Sequence, residues 1–302
     1  YATMSRQEFV NKRCSNRFKR KRRPKMSQTP FTGGKDGQED PEDLKDKGNQ
    51  NYRYGNYRQA LRCYQKALQI KPDFEKALYN MGNTYYKMCD YRMAVQFYQK
   101  TIQIKPTYFK ALYNLGLTYY KLNMLTEAEE SFLKAAAVDD SQADVYINLG
   151  NIYRDKNQFQ QAISMYLKGN DINPSDGDTY YNIGNIYYDL DDFDQALIAY
   201  EKAVKLNPTD AKAYNNLADV LLRKRLIEEA LHSVKKALEL DPDMVAAFCT
   251  LGEIHQKQGL FKEALKNFQK VFDMGTSDPL LLQYVTDIID EIQSDLDRED
   301  RS

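Results

Sequence analysis

The chain has 302 residues, of which 42% are hydrophobic and 28% charged, a formal net charge of zero and a mean hydropathy of −0.72. It has no long apolar run, which excludes a membrane-spanning helix. The first residues, Tyr-Ala-Thr-Met-Ser-Arg, lack the apolar core of a signal peptide. Four widely spaced cysteines are typical of reduced thiols in an intracellular protein. Because the sequence starts at Tyr1, we expect it to be a fragment.

The zero net charge conceals two oppositely charged parts. Residues 1–40 hold eleven Lys/Arg and four Asp/Glu, whereas the rest of the chain holds thirty-two Lys/Arg and thirty-nine Asp/Glu. Residues 11–25 contain nine bases and no acid. Such an arm is expected to bind anions. It is a nuclear-localisation signal or a solvated tail in one interpretation, and a tether to nucleic acid or to a microtubule surface in another. The predicted polyanion-binding residues are Lys19, Arg20, Lys21, Arg22, Arg23 and Lys25. A linker rich in Gly, Pro, Ser and Thr follows.

Residues 41–278 repeat with a period of 34 residues. A small residue marks each unit, an alanine follows twelve residues later, and a large side chain follows four residues after the alanine. The small residues are Gly48, Gly82, Gly116, Gly150, Gly184, Ala218 and Gly252. The alanines are Ala60, Ala94, Ala128, Ala162, Ala196, Ala230 and Ala264, and the large residues are Tyr64, Tyr98, Phe132, Tyr166, Tyr200, Val234 and Phe268. Proline ends five units. This period predicts stacked supersecondary units, not an enzyme core.

The pattern resembles the tetratricopeptide repeat (TPR) family over seven units: 41–74, 75–108, 109–142, 143–176, 177–210, 211–244 and 245–278. Apolar residues at three- and four-residue steps, such as Leu78, Met81, Tyr85 and Met88, predict helices within each unit. The resemblance implies an all-α fold, in which seven helix-turn-helix repeats form a right-handed superhelix, or α-solenoid.

Residues 279–302 predict a fifteenth helix. Each repeat leaves one hydrophobic face uncovered, so an array needs a cap. Apolar residues recur here at helical steps, at Leu281, Val285, Ile288, Ile289, Ile292 and Leu296. The opposite face is acidic, with Asp287, Asp290, Glu291 and Asp295. We therefore expect a C-terminal capping helix and an acidic tail.

The sequence contains little that suits catalysis. His255 stands at a packing position that Tyr85, Tyr119 and Tyr153 occupy in other repeats, so we expect a structural role for it. His232 has no acid at a defined spacing, which favours a surface position. Gly33-Gly34 lies outside any strand–loop–helix context and is no phosphate loop. We expect no catalytic residue, no metal site and no cofactor.

An asparagine column lies on the predicted inner face of the array. Its members, each 34 residues apart, are Asn80, Asn114, Asn148, Asn182 and Asn216. Helix propensity does not explain them, because asparagine is a mediocre helix former. An amide both donates and accepts, so a column of amides can hold successive peptide groups of an extended segment. The column resembles the asparagine ladder of the TPR superhelix in O-linked N-acetylglucosamine transferases. In the alternative interpretation, these amides bridge neighbouring helices.

Tyrosines flank the asparagine column on both sides. One set precedes it by one residue, namely Tyr79, Tyr113 and Tyr181. Another follows it by six residues, namely Tyr86, Tyr120 and Tyr188, and Tyr52 occupies the same position in the first repeat. Tyrosine combines contact area with a hydroxyl at low entropic cost, which suits recognition. The alternative for each is packing between repeats.

The first three repeats carry a second resemblance. TPR cofactors of cytosolic heat-shock chaperones bind the C-terminal carboxylates of their partner with five residues. Four of these match Lys45, Asn49, Asn80 and Lys110. The fifth, usually arginine, is Asn114, so the site lacks its bidentate cation. The resemblance implies a degenerate carboxylate clamp.

Charge on the predicted inner face changes sign along the array. Lys76, Lys87, Lys110 and Lys121 are followed by Asp144, Asp155, Asp178 and Asp189, and then by Lys212 and Arg223. A partner would need a basic stretch opposite the fourth and fifth repeats.

The sequence predicts a non-catalytic protein–protein interaction scaffold that binds an extended partner segment in its concave groove. We expect it in a larger intracellular assembly, with no membrane insertion. In one interpretation the assembly is cytoplasmic and belongs to the cytoskeleton or the cilium. In the other it is nuclear. The alternatives are the substrate-recruiting region of a larger enzyme such as a glycosyltransferase, and a chaperone cofactor.

Overall fold

The computed structural model describes residues 39–175 and 177–299, without the side chains of residues 295 and 297–299. Within these ranges the chain has fifteen helices and no strand, which confirms the all-α prediction. No helix in this part of the chain is long and apolar enough to cross a bilayer. The predicted arm, with Lys19–Lys25, lies outside the described residues.

The described residues form two compact units. The N-terminal unit, residues 39–156, contains α1 (Pro41–Arg53), α2 (Tyr57–Ile70), α3 (Glu75–Lys87), α4 (Tyr91–Ile104), α5 (Phe109–Lys121), α6 (Leu125–Val138) and α7 (Ala143–Asp155). The C-terminal unit, residues 157–299, contains α8 (Phe159–Ile172), α9 (Gly177–Asp189), α10 (Phe193–Leu206), α11 (Ala211–Arg223), α12 (Ile227–Leu240), α13 (Val245–Lys257), α14 (Phe261–Asp273) and α15 (Pro279–Glu299). Within each unit, consecutive helices form helix-turn-helix pairs, as in a TPR solenoid.

The turn inside each pair depends on one residue with positive φ, which reverses the chain after the first helix. After α3 this residue is Cys89, with φ of 63°. There the Asp90 amide donates to the Tyr85 carbonyl at 2.9 Å, and the Asp90 carboxylate accepts from the Met93 amide at 3.2 Å, so one residue closes α3 and caps α4. The same repeat position has positive φ in every pair: Gly55, Cys89, Asn123, Asn157, Asp191, Arg225 and Gly259.

A glycine and an aromatic ring hold the two helices of a pair together. Tyr98 on α4 is 1% exposed, and its ring lies against Gly82 on α3. A β-carbon at Gly82 would come within 2.6 Å of the ring, closer than two carbon atoms approach. Gly48 with Tyr64, Gly184 with Tyr200, and Gly252 with Phe268 repeat this contact. The 34-residue motif is therefore a packing motif of helix pairs.

The last helix covers the end of the C-terminal unit. Val285 and Ile292 on α15 are fully buried, and they share a core with Phe268 and Val271 on α14 and Phe248 on α13. The Tyr284 hydroxyl also donates to the Glu253 carboxylate at 2.6 Å. The apolar face of α15 thus supplies side chains that a following repeat would otherwise provide.

Two cysteines of the described residues carry free thiols. These are Cys63 and Cys249, and burial raises the pKa of Cys249 to about 12, so it is protonated at neutral pH.

Candidate functional site

The asparagine column lies on the first helix of each pair and links successive repeats. In the N-terminal unit, the Asn80 side-chain nitrogen donates to Asn49 Oδ1 at 2.7 Å, and that of Asn114 donates to Asn83 Oδ1 at 2.9 Å. In the C-terminal unit, Asn216 donates to Asn185 Oδ1 at 3.0 Å. The donors of these ladder residues are thus used within the protein, as in the bridging interpretation.

A second asparagine column accepts these bonds, and sequence reasoning singled out only its first member, Asn49. Asn83 Oδ1 also accepts from the buried Tyr98 hydroxyl at 2.8 Å, as Asn49 does from Tyr64 and Asn185 from Tyr200. A signal was present in the sequence. Asparagine stands fifteen residues before each tyrosine of the packing motif. Where the motif has Phe132, Val234 or Phe268 instead of tyrosine, the same position holds Leu117, Asp219 or Glu253, respectively. The amide and the phenol are therefore one hydrogen-bonded unit.

Asn148 is the exception in the N-terminal unit. Leu117 stands where the second column would offer an acceptor, so Asn148 donates to the Asp144 carbonyl at 2.7 Å and to the Tyr113 hydroxyl at 3.2 Å. Asn182 lies on α9 and is half-buried. The ladder consequently differs in its bonding from repeat to repeat.

The tyrosines that precede the column pack between repeats. The Tyr79 hydroxyl accepts from Asn114 at 3.0 Å, and its ring stacks on Tyr108 with centroids 5.2 Å apart. Tyr113 accepts from Asn148, and Tyr181 from Asn216 at 3.5 Å. These three rings serve as spacers between successive first helices.

The tyrosines that follow the column have varied partners. Tyr120 donates to Asp155 at 2.7 Å, and Tyr188 donates to Asp219 at 2.5 Å. The hydroxyls of Tyr52 and Tyr86 form no hydrogen bond within residues 39–175 and 177–299. Burial raises the pKa of both phenols, so they are neutral donors at physiological pH.

These two tyrosines line a pocket of about 250 Å³ in the N-terminal unit. Its walls are Tyr52, Asn83, Tyr86, Lys87, Tyr98, Asn114 and Leu117. The Lys87 ammonium is exposed and has no ion-pair partner among the described residues. The Asn83 side-chain nitrogen likewise has no acceptor in this part of the chain. The pocket thus combines aromatic walls with several unused donors.

Further exposed cations lie on α1, α3 and α5 of the same unit. Arg53, Lys110 and Lys121 have no ion-pair partner in the described ranges, whereas Lys76 lies 3.7 Å from Glu42. Helices α1, α3 and α5 therefore carry four exposed bases without an ion-pair partner among the described residues, namely Arg53, Lys87, Lys110 and Lys121.

Three of the four residues of the predicted carboxylate clamp are engaged by other side chains of the protein. Lys45 pairs with Glu42 and, at 3.2 Å, with Asp46. Asn49 accepts from Asn80 and donates to Asp46 at 3.3 Å. Of the four matching residues, Lys110 alone is exposed and unpaired among the described side chains. This geometry favours a structural role for Lys45, Asn49 and Asn80.

The C-terminal unit carries mixed charges on the corresponding helices. Asp178, Asp189 and Lys212 are exposed, and Arg223 pairs with Asp219 at 3.3 Å. Burial raises the pKa of Glu253. His255 is half-buried, 2.9 Å from the Asn267 side-chain nitrogen, and His232 is exposed. Within the described residues, no group of three His, Cys, Asp or Glu side chains is placed to hold a metal ion.

Known structures share this fold. MamA is 29% identical, with a TM-score of 0.51 over 54% of this chain and 95% of its own. A tetratricopeptide repeat protein from Parabacteroides merdae is 15% identical, with a TM-score of 0.61 over 82% of this chain and 97% of its own. YrrB, described as a TPR protein with an unusual peptide-binding site, is 22% identical, with a TM-score of 0.52 over 65% of this chain and 97% of its own. The last two show the fold alone. No curated protein sequence matches the chain significantly.

Family models identify the repeats. Two models are described as tetratricopeptide repeat. One matches residues 75–108 and 177–210, and the other matches residues 97–130 and 199–232. A third, described as TPR repeat, matches residues 48–88 and 150–191. Together they span residues 48–130 and 150–232, more than half of the chain. With the glycine–aromatic packing and the paired helices, these matches show that the chain belongs to the tetratricopeptide repeat family.

Proposed function

We propose that this protein is a non-catalytic interaction scaffold whose N-terminal unit holds an extended segment of a partner protein on the inner face of α1, α3 and α5. The pocket that Tyr52, Tyr86 and Lys87 line carries this proposal, because its donors have no partner among the described residues. Unused donors beside aromatic walls suit a polypeptide, which offers carbonyl acceptors and apolar side chains.

The two asparagine columns have different roles in this proposal. The nitrogen of Asn114 is used between repeats, so it fixes the spacing of α3 and α5 instead of binding the partner. The Asn83 nitrogen and Asn114 Oδ1 remain available on the pocket wall, one as donor and one as acceptor. Such a pair can meet one peptide group of an extended chain. The ladder thus contributes mainly by holding the groove in shape.

A double substitution of Tyr86→Phe and Lys87→Ala tests the groove. It removes one hydroxyl and one ammonium but keeps the packed ring. We expect at least about tenfold weaker retention on an array of twelve-residue peptides of varied composition, because each lost bond to a charged or aligned group contributes about 1–3 kcal/mol. The midpoint of urea unfolding, followed by circular dichroism, should not change.

Two control variants separate binding from stability. Arg92→Ala, on the exposed side of α4, should leave both measurements unchanged. Asn114→Ala should lower the unfolding midpoint, since two hydrogen bonds between repeats are lost. Unchanged peptide retention by the Tyr86→Phe/Lys87→Ala protein would contradict groove binding.

The domain organisation and the arm are part of the same proposal. Residues 1–40 form a basic arm, residues 41–278 seven repeats, and residues 279–302 a cap and acidic tail. The nine bases in residues 11–25 support docking of the arm on a polyanionic surface, either a microtubule or nucleic acid. A cytoplasmic, cytoskeletal or ciliary assembly would provide the first surface, and the nucleus the second.

Charge reversal at Lys19, Arg20, Lys21, Arg22 and Arg23 is the test of the arm. We expect the variant to lose co-sedimentation with microtubules or RNA, together with the salt dependence of that binding, because counterion release scales with the number of neutralised charges. Absence of binding by the unaltered chain to both polymers at low salt would show that the arm acts as a targeting signal or contacts protein.

A further inference from the structure

Tyrosine and cation side chains are paired along the inner face of the N-terminal unit. Each of α1, α3 and α5 ends with a tyrosine followed by a base: Tyr52-Arg53, Tyr86-Lys87 and Tyr120-Lys121. All three bases are exposed and have no ion-pair partner among the described residues. The three sites lie 34 residues apart and so occupy the same position on successive repeats.

Three acids of this face are paired or hydrogen-bonded, whereas Asp144 is exposed and has no ion-pair partner among the described residues. Glu42 lies 3.7 Å from Lys76, and Asp46 lies 3.2 Å from Lys45. Asp155 accepts from Tyr120 and lies 3.5 Å from Arg154. Arg53, Lys87 and Lys121 therefore remain as charges that a partner can neutralise.

The spacing of the three sites constrains the partner. Helices α1 and α3 contact each other, and so do α3 and α5. Packed helices lie about 8–10 Å apart. An extended polypeptide in the polyproline II conformation has three residues per turn and advances about 3.1 Å per residue, so every third side chain lies on the same face, about 9 Å from the last. One side chain in three of an extended segment would thus face each tyrosine–cation pair.

We propose that the inner face of the N-terminal unit binds an extended acidic segment with a carboxylate at every third residue, opposite Arg53, Lys87 and Lys121. This inference rests on the proposed groove function and specifies its partner. At the first two sites the carboxylate accepts from the base and from the adjacent phenol. At the third, Lys121 supplies the donor, because the Tyr120 hydroxyl is bonded to Asp155.

The environment of the tyrosines favours a peptide over a single-stranded nucleic acid. Nucleic-acid grooves present free aromatic faces on which bases stack. Here Tyr52 lies against Tyr57 with centroids 5.7 Å apart, and Tyr86 meets Tyr91 edge-on at 5.3 Å. These contacts occupy part of each ring, so the rings are not free stacking platforms for bases.

Fluorescence anisotropy with defined peptides tests the proposal. The probe is a fluorescein-labelled, Gly/Ser-based twelve-residue peptide with Asp at every third position. Comparison probes are a peptide of equal composition with its Asp residues consecutive, a neutral peptide, a Lys-containing peptide and a twelve-nucleotide oligo(U). We expect the every-third peptide to bind at least about tenfold more tightly than the consecutive one. Lys87→Ala and Lys121→Ala should each weaken that binding about tenfold, and Arg92→Ala should not.

The outcomes separate this inference from the proposed function. Equal affinity for the two acidic peptides, or tighter binding of oligo(U), would overturn the spacing argument. Suppose that only the neutral or the Lys-containing peptide binds, and that the Tyr86→Phe/Lys87→Ala double substitution weakens this binding. The acidic partner would then be overturned, and groove binding would remain supported. Binding of all peptides that is insensitive to this double substitution would overturn both.

Discussion

Replacing Gly82 with alanine is expected to lower the free energy of unfolding by about 1–2 kcal/mol, although alanine is the better helix former by about 1 kcal/mol. The added β-carbon would lie 2.6 Å from the Tyr98 ring, which is buried, so the ring or the helix would have to shift. Overpacking of this kind costs about 1–3 kcal/mol. Displacement of the ring would also break the bond from Tyr98 to Asn83. Urea unfolding followed by circular dichroism measures the loss.

The sixth repeat provides a natural control for this prediction. There Ala218 takes the place of glycine, and Val234, which is smaller than tyrosine, fills the facing position. Ala218→Gly should therefore destabilise the protein by about 1 kcal/mol through helix propensity alone. The double variant Gly82→Ala/Tyr98→Val should be more stable than the sum of its single changes indicates, because the smaller side chain removes the clash. Additive changes would show that the two positions do not pack against each other.

The repeat period predicted the fold because it records packing rather than composition. The small and the large residue of the motif, such as Gly82 and Tyr98, stand sixteen residues apart in every unit, and in Gly82 and Tyr98 this spacing produces the contact that closes the helix pair. The helices, their turns and the apolar face of α15 follow from the same local rules, because each repeat contacts mainly its neighbours.

The candidate site was less predictable, because it depends on which side chains bond each other. The asparagine column suggested free amides, but the nitrogens of Asn80, Asn114 and Asn216 are bonded to the preceding repeat. Likewise Lys45 matched a clamp position, and its neighbours Glu42 and Asp46 neutralise it. Sequence spacing places these residues on one face, but it does not show which donors remain unused.

Deletion of residues 279–302 is expected to destabilise the C-terminal unit and to cause self-association. Val285 and Ile292 are fully buried against Phe248, Phe268 and Val271, and each large apolar side chain contributes about 1.5–3 kcal/mol when buried. Without α15, the apolar faces of α13 and α14 would be exposed to water, and exposed patches of this kind promote association. Loss of the bond from Tyr284 would also leave the Glu253 carboxylate without its phenol donor.

A point variant distinguishes capping from a mere effect of chain length. Val285→Ala/Ile292→Ala keeps every backbone atom of α15 but removes its two most buried anchors, and large-to-small changes of this type cost about 2–5 kcal/mol for an isoleucine. We expect early hydrogen exchange in α15, a lower urea midpoint and a larger mass in light scattering. Glu291→Ala, on the exposed face of the same helix, should behave like the unaltered protein. A truncated chain that is monomeric and equally stable would refute the capping role, because the end of a repeat array can be left uncovered only when little apolar area is exposed there.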